Sequence, residues 1–238
     1  MKKQTGFTLI EIMIALVLGL IVVGATINIY IATVGSSSSI IKSARLNHDM
    51  EAVMSLMIND IKRSGYWGGA TSAADSRNNP FTQATTNIQI PSDNCILYSY
   101  DADGDGTVDS NEYYGFKLEN NIIEMRKTGT TTADCNDGEW EEFVDSDQLN
   151  ISTLQFSFVP ITGLTATSRC LNVTIPPPTN AVSWPCTAVS GDNVAENRLV
   201  NILIAGQLKS EGTVTKNLNG SVEIRNNRLC EWNGTNCP

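Results

Sequence analysis

From Ile12 to about Ile31 the chain is almost continuously apolar, and after Glu11 no charged side chain appears until Lys42. About 20 helical residues at ~1.5 Å each cross the ~30 Å hydrocarbon core of a bilayer, so this stretch predicts a membrane-spanning helix. From Leu46 the pattern changes. Leu46, Met50, Val53, Met54, Met57, Ile58 and Ile61 recur at the spacing of one helical face, while Lys42, Arg45, Asp49, Glu51, Asp60, Lys62 and Arg63 mostly take the other. The pattern predicts one helix over 7–64, stopped at Gly65, where glycine supplies a left-handed cap. Gly35 and Ser36–Ser39 are poor helix formers and mark the expected bend or weak point.

Beyond Gly65 the periodicity is that of strands. Candidates are Ile96–Tyr100, Tyr113–Leu118, Ile122–Arg126, Leu154–Val159, Leu171–Ile175, Leu199–Leu208 and Val222–Arg225, with Gly, Asn, Asp, Ser or Pro between them. Pro80–Ser92 and Pro176–Pro185 read as surface excursions. The fold class is therefore α+β: a long N-terminal helix, membrane-spanning over about 12–31, packed on a β-rich head over 65–238.

Lys2 and Lys3 precede the span, an order that leaves the basic end in the cytoplasm and sends the head outward. A secretory signal has a shorter apolar stretch, ~7–15 residues, with its cleavage site after it. An uncut signal anchor is the plain alternative, and it leaves Glu11 unexplained. A carboxylate in such a segment costs about 2.5–3.5 kcal/mol on insertion scales and calls for a partner.

Gly6-Phe7-Thr8-Leu9-Ile10-Glu11, with lysines before it and a span after it, resembles the class III prepilin signal of type IV pilins and type II secretion pseudopilins. The resemblance implies a type IV pilin-like fold. It also implies a leader, residues 1–6, that prepilin peptidase removes between Gly6 and Phe7, with methylation of the new amino terminus at Phe7. Glu11, the fifth residue of the cut chain, would then pair with the N-terminal ammonium of an adjacent subunit. Such pairing relieves a penalty that each charge bears alone in low dielectric. Asp60-Ile61-Lys62-Arg63-Ser64-Gly65-Tyr66-Trp67-Gly68 and Val222-Glu223-Ile224-Arg225-Asn226 look like PilW-type minor pilins, which are related to the J-type minor pseudopilins.

The net charge of −9 argues against nucleic acid as a direct ligand, because the basic residues form no stripe. Six cysteines, Cys95, Cys135, Cys170, Cys186, Cys230 and Cys237, all follow the span and suit an oxidising compartment. Spacing leaves every pairing open; the expectation is sequential, Cys95–Cys135, Cys170–Cys186 and Cys230–Cys237. Zinc is disfavoured by the lack of CxxC and by the single histidine, His48.

Asp101-Ala102-Asp103-Gly104-Asp105-Gly106-Thr107-Val108-Asp109-Ser110-Asn111-Glu112 matches a twelve-residue EF-hand loop, with glycine at the sixth place. It predicts a structural calcium held by Asp101, Asp103, Asp105, the Thr107 carbonyl, Asp109 and Glu112. The flanks read as strands, so the expectation is a stapled β-connection rather than a helix-opening sensor. The alternative for such residues is a solvated acidic turn.

No nucleophile–base pair suggests an enzyme. Trp67, Trp140, Trp184 and Trp232 read as scattered core and rim residues rather than a sugar platform. The resemblance implies a minor pilin that helps to initiate a type IV pilus or caps its tip. Its partners would be other minor pilins, the major pilin and a tip adhesin, and it would move from the bacterial inner membrane to the pilus tip. A minor pseudopilin of type II secretion is the near alternative, and a membrane-anchored calcium-dependent adhesin the one of another class.

Overall fold

The computed structural model describes residues 6–70, 76–145, 147–158, 168–174, 188–209 and 211–234. The chain divides into two compact units that part between Arg45 and Leu46. Helix α1, Leu9–Ile61, runs through both.

In the first unit every large apolar side chain from Phe7 to Val34 is at least half exposed. This helix is long and apolar enough to cross a membrane. Its polar residues are folded back onto their own backbone: Thr26 Oγ1 donates to the Val22 carbonyl, Asn28 Nδ2 to that of Gly24 and Thr33 Oγ1 to that of Ile29, all at 2.8 Å. That satisfies polar groups which hydrocarbon would leave stranded. The bend expected at Gly35–Ser39 is not a break, because α1 is helical throughout. Each serine or glycine costs at most about 1 kcal/mol, a penalty that the long helix on either side absorbs. Ser39 Oγ also donates to the Ser36 carbonyl at 3.3 Å.

In the second unit the α1 stripe is the core. Leu46, Met50, Val53, Met54, Met57 and Ile61 are buried, and Ile58 is half-buried against them. Each such side chain contributes about 1.5–3 kcal/mol by leaving water. α1 ends where the apolar spacing ends, and Gly65 adopts φ +74° as the left-handed cap. The Gly65 N–H donates to the Ser99 carbonyl at 2.9 Å, which feeds the chain onto the first sheet.

That sheet contains β1 (Gln89–Ser92), β2 (Cys95–Ser99), β3 (Tyr113–Glu119), β4 (Ile122–Arg126) and β5 (Trp140–Glu142), in that order and antiparallel. The second sheet is built on β8 (Asn193–Leu208). The first part of β8 pairs with β7 (Ser168–Asn172) and β10 (Arg228–Glu231), the rest with β6 (Leu149–Phe158) and β9 (Glu211–Glu223). On β8 and β9, Gly206 and Gly220 leave the space that Met50 and Met54 fill: an added Cβ would stand 3.3 Å and 2.8 Å from their sulfur atoms.

The Pro80–Ser92 stretch is not a surface excursion. Pro80–Thr82 forms a 3₁₀ turn with Phe81 and Thr82 buried, Ile88 is buried, and β1 follows. The single apolar residues Phe81 and Ile88 carry no period, so the pattern did not betray their burial. Strands β5 and β10 were likewise unforeseen. Pro176–Pro185 lies outside the described residues, as does Trp184.

Candidate functional site

The residues expected to flank the cut, Gly6 and Phe7, are exposed, Phe7 to 85%, and nothing lies within 4 Å of the position a Gly6 side chain would take. The Gly6–Phe7 peptide is thus open to a peptidase. Thr8 and Glu11 form a capping box at the start of α1. Thr8 N–H and Oγ1 both donate to Glu11 Oε2 at 2.8 Å, and the Glu11 N–H reaches back to Thr8 Oγ1 at 3.4 Å. Sequence reasoning assigned Glu11 only an intersubunit partner. The Thr-x-x-Glu spacing was the available signal for this second role.

The acidic loop joins β2 to β3, so its flanks are strands as expected, and it ends in a 3₁₀ turn at Ser110–Glu112. Two of its carboxylates are buried and turned inward. Asp101 Oδ1 accepts from the Gly104 N–H at 2.6 Å, and Asp101 Oδ2 from those of Gly106 at 3.0 Å and Gly68 at 2.8 Å. Glu112 accepts from the Ala102 N–H at 2.7 Å and the Asp109 N–H at 3.0 Å, one on each oxygen. Asp105 accepts from the N–H and hydroxyl of Thr107 at 2.7 Å, and these bonds lower its pKa.

Oxygens of Asp101, Asp103 and Asp105 come within 4.8 Å of one another, the one such acidic group among the described residues. Asp109 and Glu112 are not part of it. Asp109 lies exposed, while the oxygens of Glu112 tie the two ends of the loop together. The three aspartates are hard oxygen donors of the type calcium takes.

The loop is clamped from outside by the exit of α1. The Asp101 N–H donates to the Tyr66 carbonyl at 3.0 Å, and Trp67 Nε1 donates to the Gly106 carbonyl at 3.2 Å. Here backbone meets backbone: a Cβ on Gly68 would lie 2.8 Å from the Gly104 Cα, and one on Gly69 3.1 Å from the Gly106 Cα. The two glycine pairs were visible in the sequence, but nothing there indicated that they face each other.

Cys95 and Cys135 are bridged, as expected, joining β2 to the loop between β4 and β5. Closing a 40-residue separation restricts the unfolded chain by roughly 3–4 kcal/mol on an entropic account. Cys230 is also disulfide-bonded. The expected partners Cys186 and Cys237 lie outside the described residues, as does the side chain of Cys170. The same β4–β5 loop holds a charge pair that sequence reasoning missed. Arg126, fully buried, donates to the Thr128 and Thr131 carbonyls and to Asp137. Burial alone would raise the Asp137 carboxyl. The amides of Thr130 and Thr131 and the Arg126 guanidinium outweigh it and leave the pKa lowered.

His48 is exposed on α1 beside Asp49. Trp67 touches the acidic loop, Trp140 lies under the Lys117 ammonium at 4.6 Å, and Trp232 packs against Val194 and Cys230.

The family model described as prepilin peptidase-dependent protein B matches residues 39–224, most of the chain. The chain belongs to the prepilin peptidase-dependent protein B family. The prokaryotic N-terminal methylation motif matches residues 1–27, the region that holds Gly6, Phe7 and Glu11. No curated protein and no solved structure matches the chain. This member of the family is accordingly a type IV pilin-like protein with a class III signal, a substrate of prepilin peptidase and anchored in the membrane through α1. Its second unit carries the helix-on-sheet arrangement of the α+β pilin fold.

Proposed function

We propose that this chain is a minor pilin, a structural subunit without catalysis that helps to start assembly of a type IV pilus or caps its tip. The observation that carries the proposal is an apolar half-helix with no buried face and one carboxylate in its first turn. Such a surface needs lipid or other helices around it, and the carboxylate needs a cation once water is excluded. After cleavage at Gly6–Phe7 the new ammonium of a neighbouring subunit supplies that cation. Glu11 Oε2 is engaged by Thr8, and the N-terminal charge competes with or joins those bonds. Cleavage exchanges the leader for a methylated Phe7. The helices then associate laterally, and the heads meet other minor pilins, the major pilin and a tip adhesin.

Calcium belongs to the same proposal as a structural ion. Asp101, Asp103 and Asp105 would hold it, and it would stiffen the contact between the end of α1 and the β2–β3 connection. Extracellular sites of this kind bind at about 10⁻⁴–10⁻³ M.

The test is deletion of the gene, with complementation by wild type and by Glu11→Ala. Surface pili fall on deletion and recover only with wild type, while mass spectrometry finds the mature chain beginning at methylated Phe7. Unchanged pili and motility after deletion would remove the assembly role. A chain that retains residues 1–6 would remove the processing step.

A further inference from the structure

Between the end of α1 and the segment after β9 lies a cavity of about 580 Å³ lined by Asn59, Lys62, Arg63, Tyr66, Arg225 and Asn226. Its two walls are fastened by hydrogen bonds to the carbonyls of Lys62, Arg63 and Ser64. The Arg225 N–H donates to the Lys62 carbonyl at 3.4 Å, and Asn226 Nδ2 donates to the carbonyls of Arg63 and Ser64 at 3.1 Å. The hollow is therefore fixed by the packing of α1 against the chain that leaves β9.

The lining holds three cations and no carboxylate. Arg63 is held in place from behind: it lies over the Tyr100 ring at 4.0 Å, donates to the Tyr100 hydroxyl at 3.1 Å and stands 3.8 Å from Asp60. Asp60 is itself occupied by the hydroxyls of Tyr98 and Tyr100 at 2.5 and 2.9 Å. Lys62 and Arg225 form no ion pair among the described residues. The chain as a whole runs the other way in charge, with 25 acidic residues against 16 basic. Like charges gathered around one hollow repel, and an anionic guest removes that cost.

We propose that this cavity is a docking site for an acidic segment of another protein chain, one that places two or more carboxylates among Lys62, Arg63 and Arg225. A volume of this size admits several side chains, more than a lone ion needs. Guanidinium groups take carboxylates in paired hydrogen bonds, and arginine clusters are a recurring means of reading acidic motifs. The half-exposed Tyr66 ring and the Asn59 amide give such a segment an apolar and a hydrogen-bonding contact. The site needs no filament to act, so its test separates cleanly from that of the minor-pilin role.

Full-length chain in a zwitterionic detergent is titrated into a labelled, end-blocked peptide that alternates Glu and Gly, and separately into the same peptide with Gln for Glu. The Glu peptide binds and the Gln peptide does not. Arg225→Glu and Lys62→Glu each weaken binding by about tenfold or more, and salt at about 0.5 M abolishes it. Arg225→Gln, which removes the charge of an exposed side chain and leaves it polar, weakens binding with an unchanged melting temperature. Equal binding of the two peptides, indifference to both charge reversals, or no binding at all would overturn the proposal. So would a site that takes inorganic phosphate in an Arg225-dependent way while ignoring the Glu peptide.

Discussion

Glu11 Oε2 accepts both the backbone N–H and the hydroxyl of Thr8 at 2.8 Å, so the acid of the signal segment caps the helix that carries it. Replacing Thr8 by Ala removes the hydroxyl partner and the N-cap, at a cost of about 0.5–2 kcal/mol to the first turn. Hydrogen exchange of the mature chain in micelles should show faster exchange at the amides that begin α1, with those of Leu46–Ile61 unchanged.

In the acidic loop Asp101 has a structural role of its own beside the calcium role proposed for it together with Asp103 and Asp105. Asp101, itself buried, accepts from the amides of Gly68, Gly104 and Gly106, so Asp101→Ala should lower stability without any metal, by about 1–3 kcal/mol. Asp103→Asn and Asp105→Asn should leave the chelator-treated protein as stable as wild type and abolish calcium binding by calorimetry. At ten times its dissociation constant calcium should add about 1.4 kcal/mol to the wild type.

Gly68 admits no side chain because the Gly104 backbone stands where its Cβ would be. Gly68→Ala should force the α1 exit and the acidic loop apart and cost about 1–3 kcal/mol. A drop of several degrees in the melting temperature is the expected reading.

Burial, and then the Asp60 carboxylate that receives its hydroxyl, raise the pKa of Tyr98 well above that of a free phenol. Above about pH 10 the unfolded tyrosine ionises while the folded one keeps its proton, so stability falls as pH rises through that value. Tyr98→Phe should be less stable than wild type near neutrality by about 1.5–3 kcal/mol, the worth of a hydrogen bond to a charged group. It should also lose less on going from about pH 8 to 10.5 in urea melts.

For Asp137 the sign reverses. Its lowered pKa means that stability declines as pH falls through the ordinary carboxylate range, near 4. Asp137→Ala strands a fully buried Arg126 and should cost about 3–5 kcal/mol, whereas Arg126→Met with Asp137→Ala should recover part of it. Chemical denaturation of the single and double variants checks both.

Much of the helix was legible because its period is long and its stripe unbroken: every residue from Leu46 to Ile61 assigned to the core is buried or half-buried. Strands dense in apolar residues were found, Ile122–Arg126, with Ile122, Ile123 and Met125, to the residue. Those read too short, such as β8 and β9, carry Asn201, Asn217 and Asn219, which look like turn residues but face away from the core on a paired strand, and Gly206 and Gly220, which face Met50 and Met54. Strands β5 and β10 were invisible because three or four residues give no period. At the site, spacing located Gly6, Glu11 and the aspartates. It could not locate contacts made by segments far apart in the chain, such as Gly68 on Gly104, or Arg225 beside Lys62. Those depend on how the sheets return the chain to α1.

The Cys95–Cys135 bridge also records history. Two thiols 40 residues apart close only where an oxidant reaches them, and the cytosol keeps thiols reduced. The ratio of alkylatable to closed sulfur in newly made protein is therefore a clock for export, started at synthesis and stopped when β2 and the β4–β5 loop are locked together.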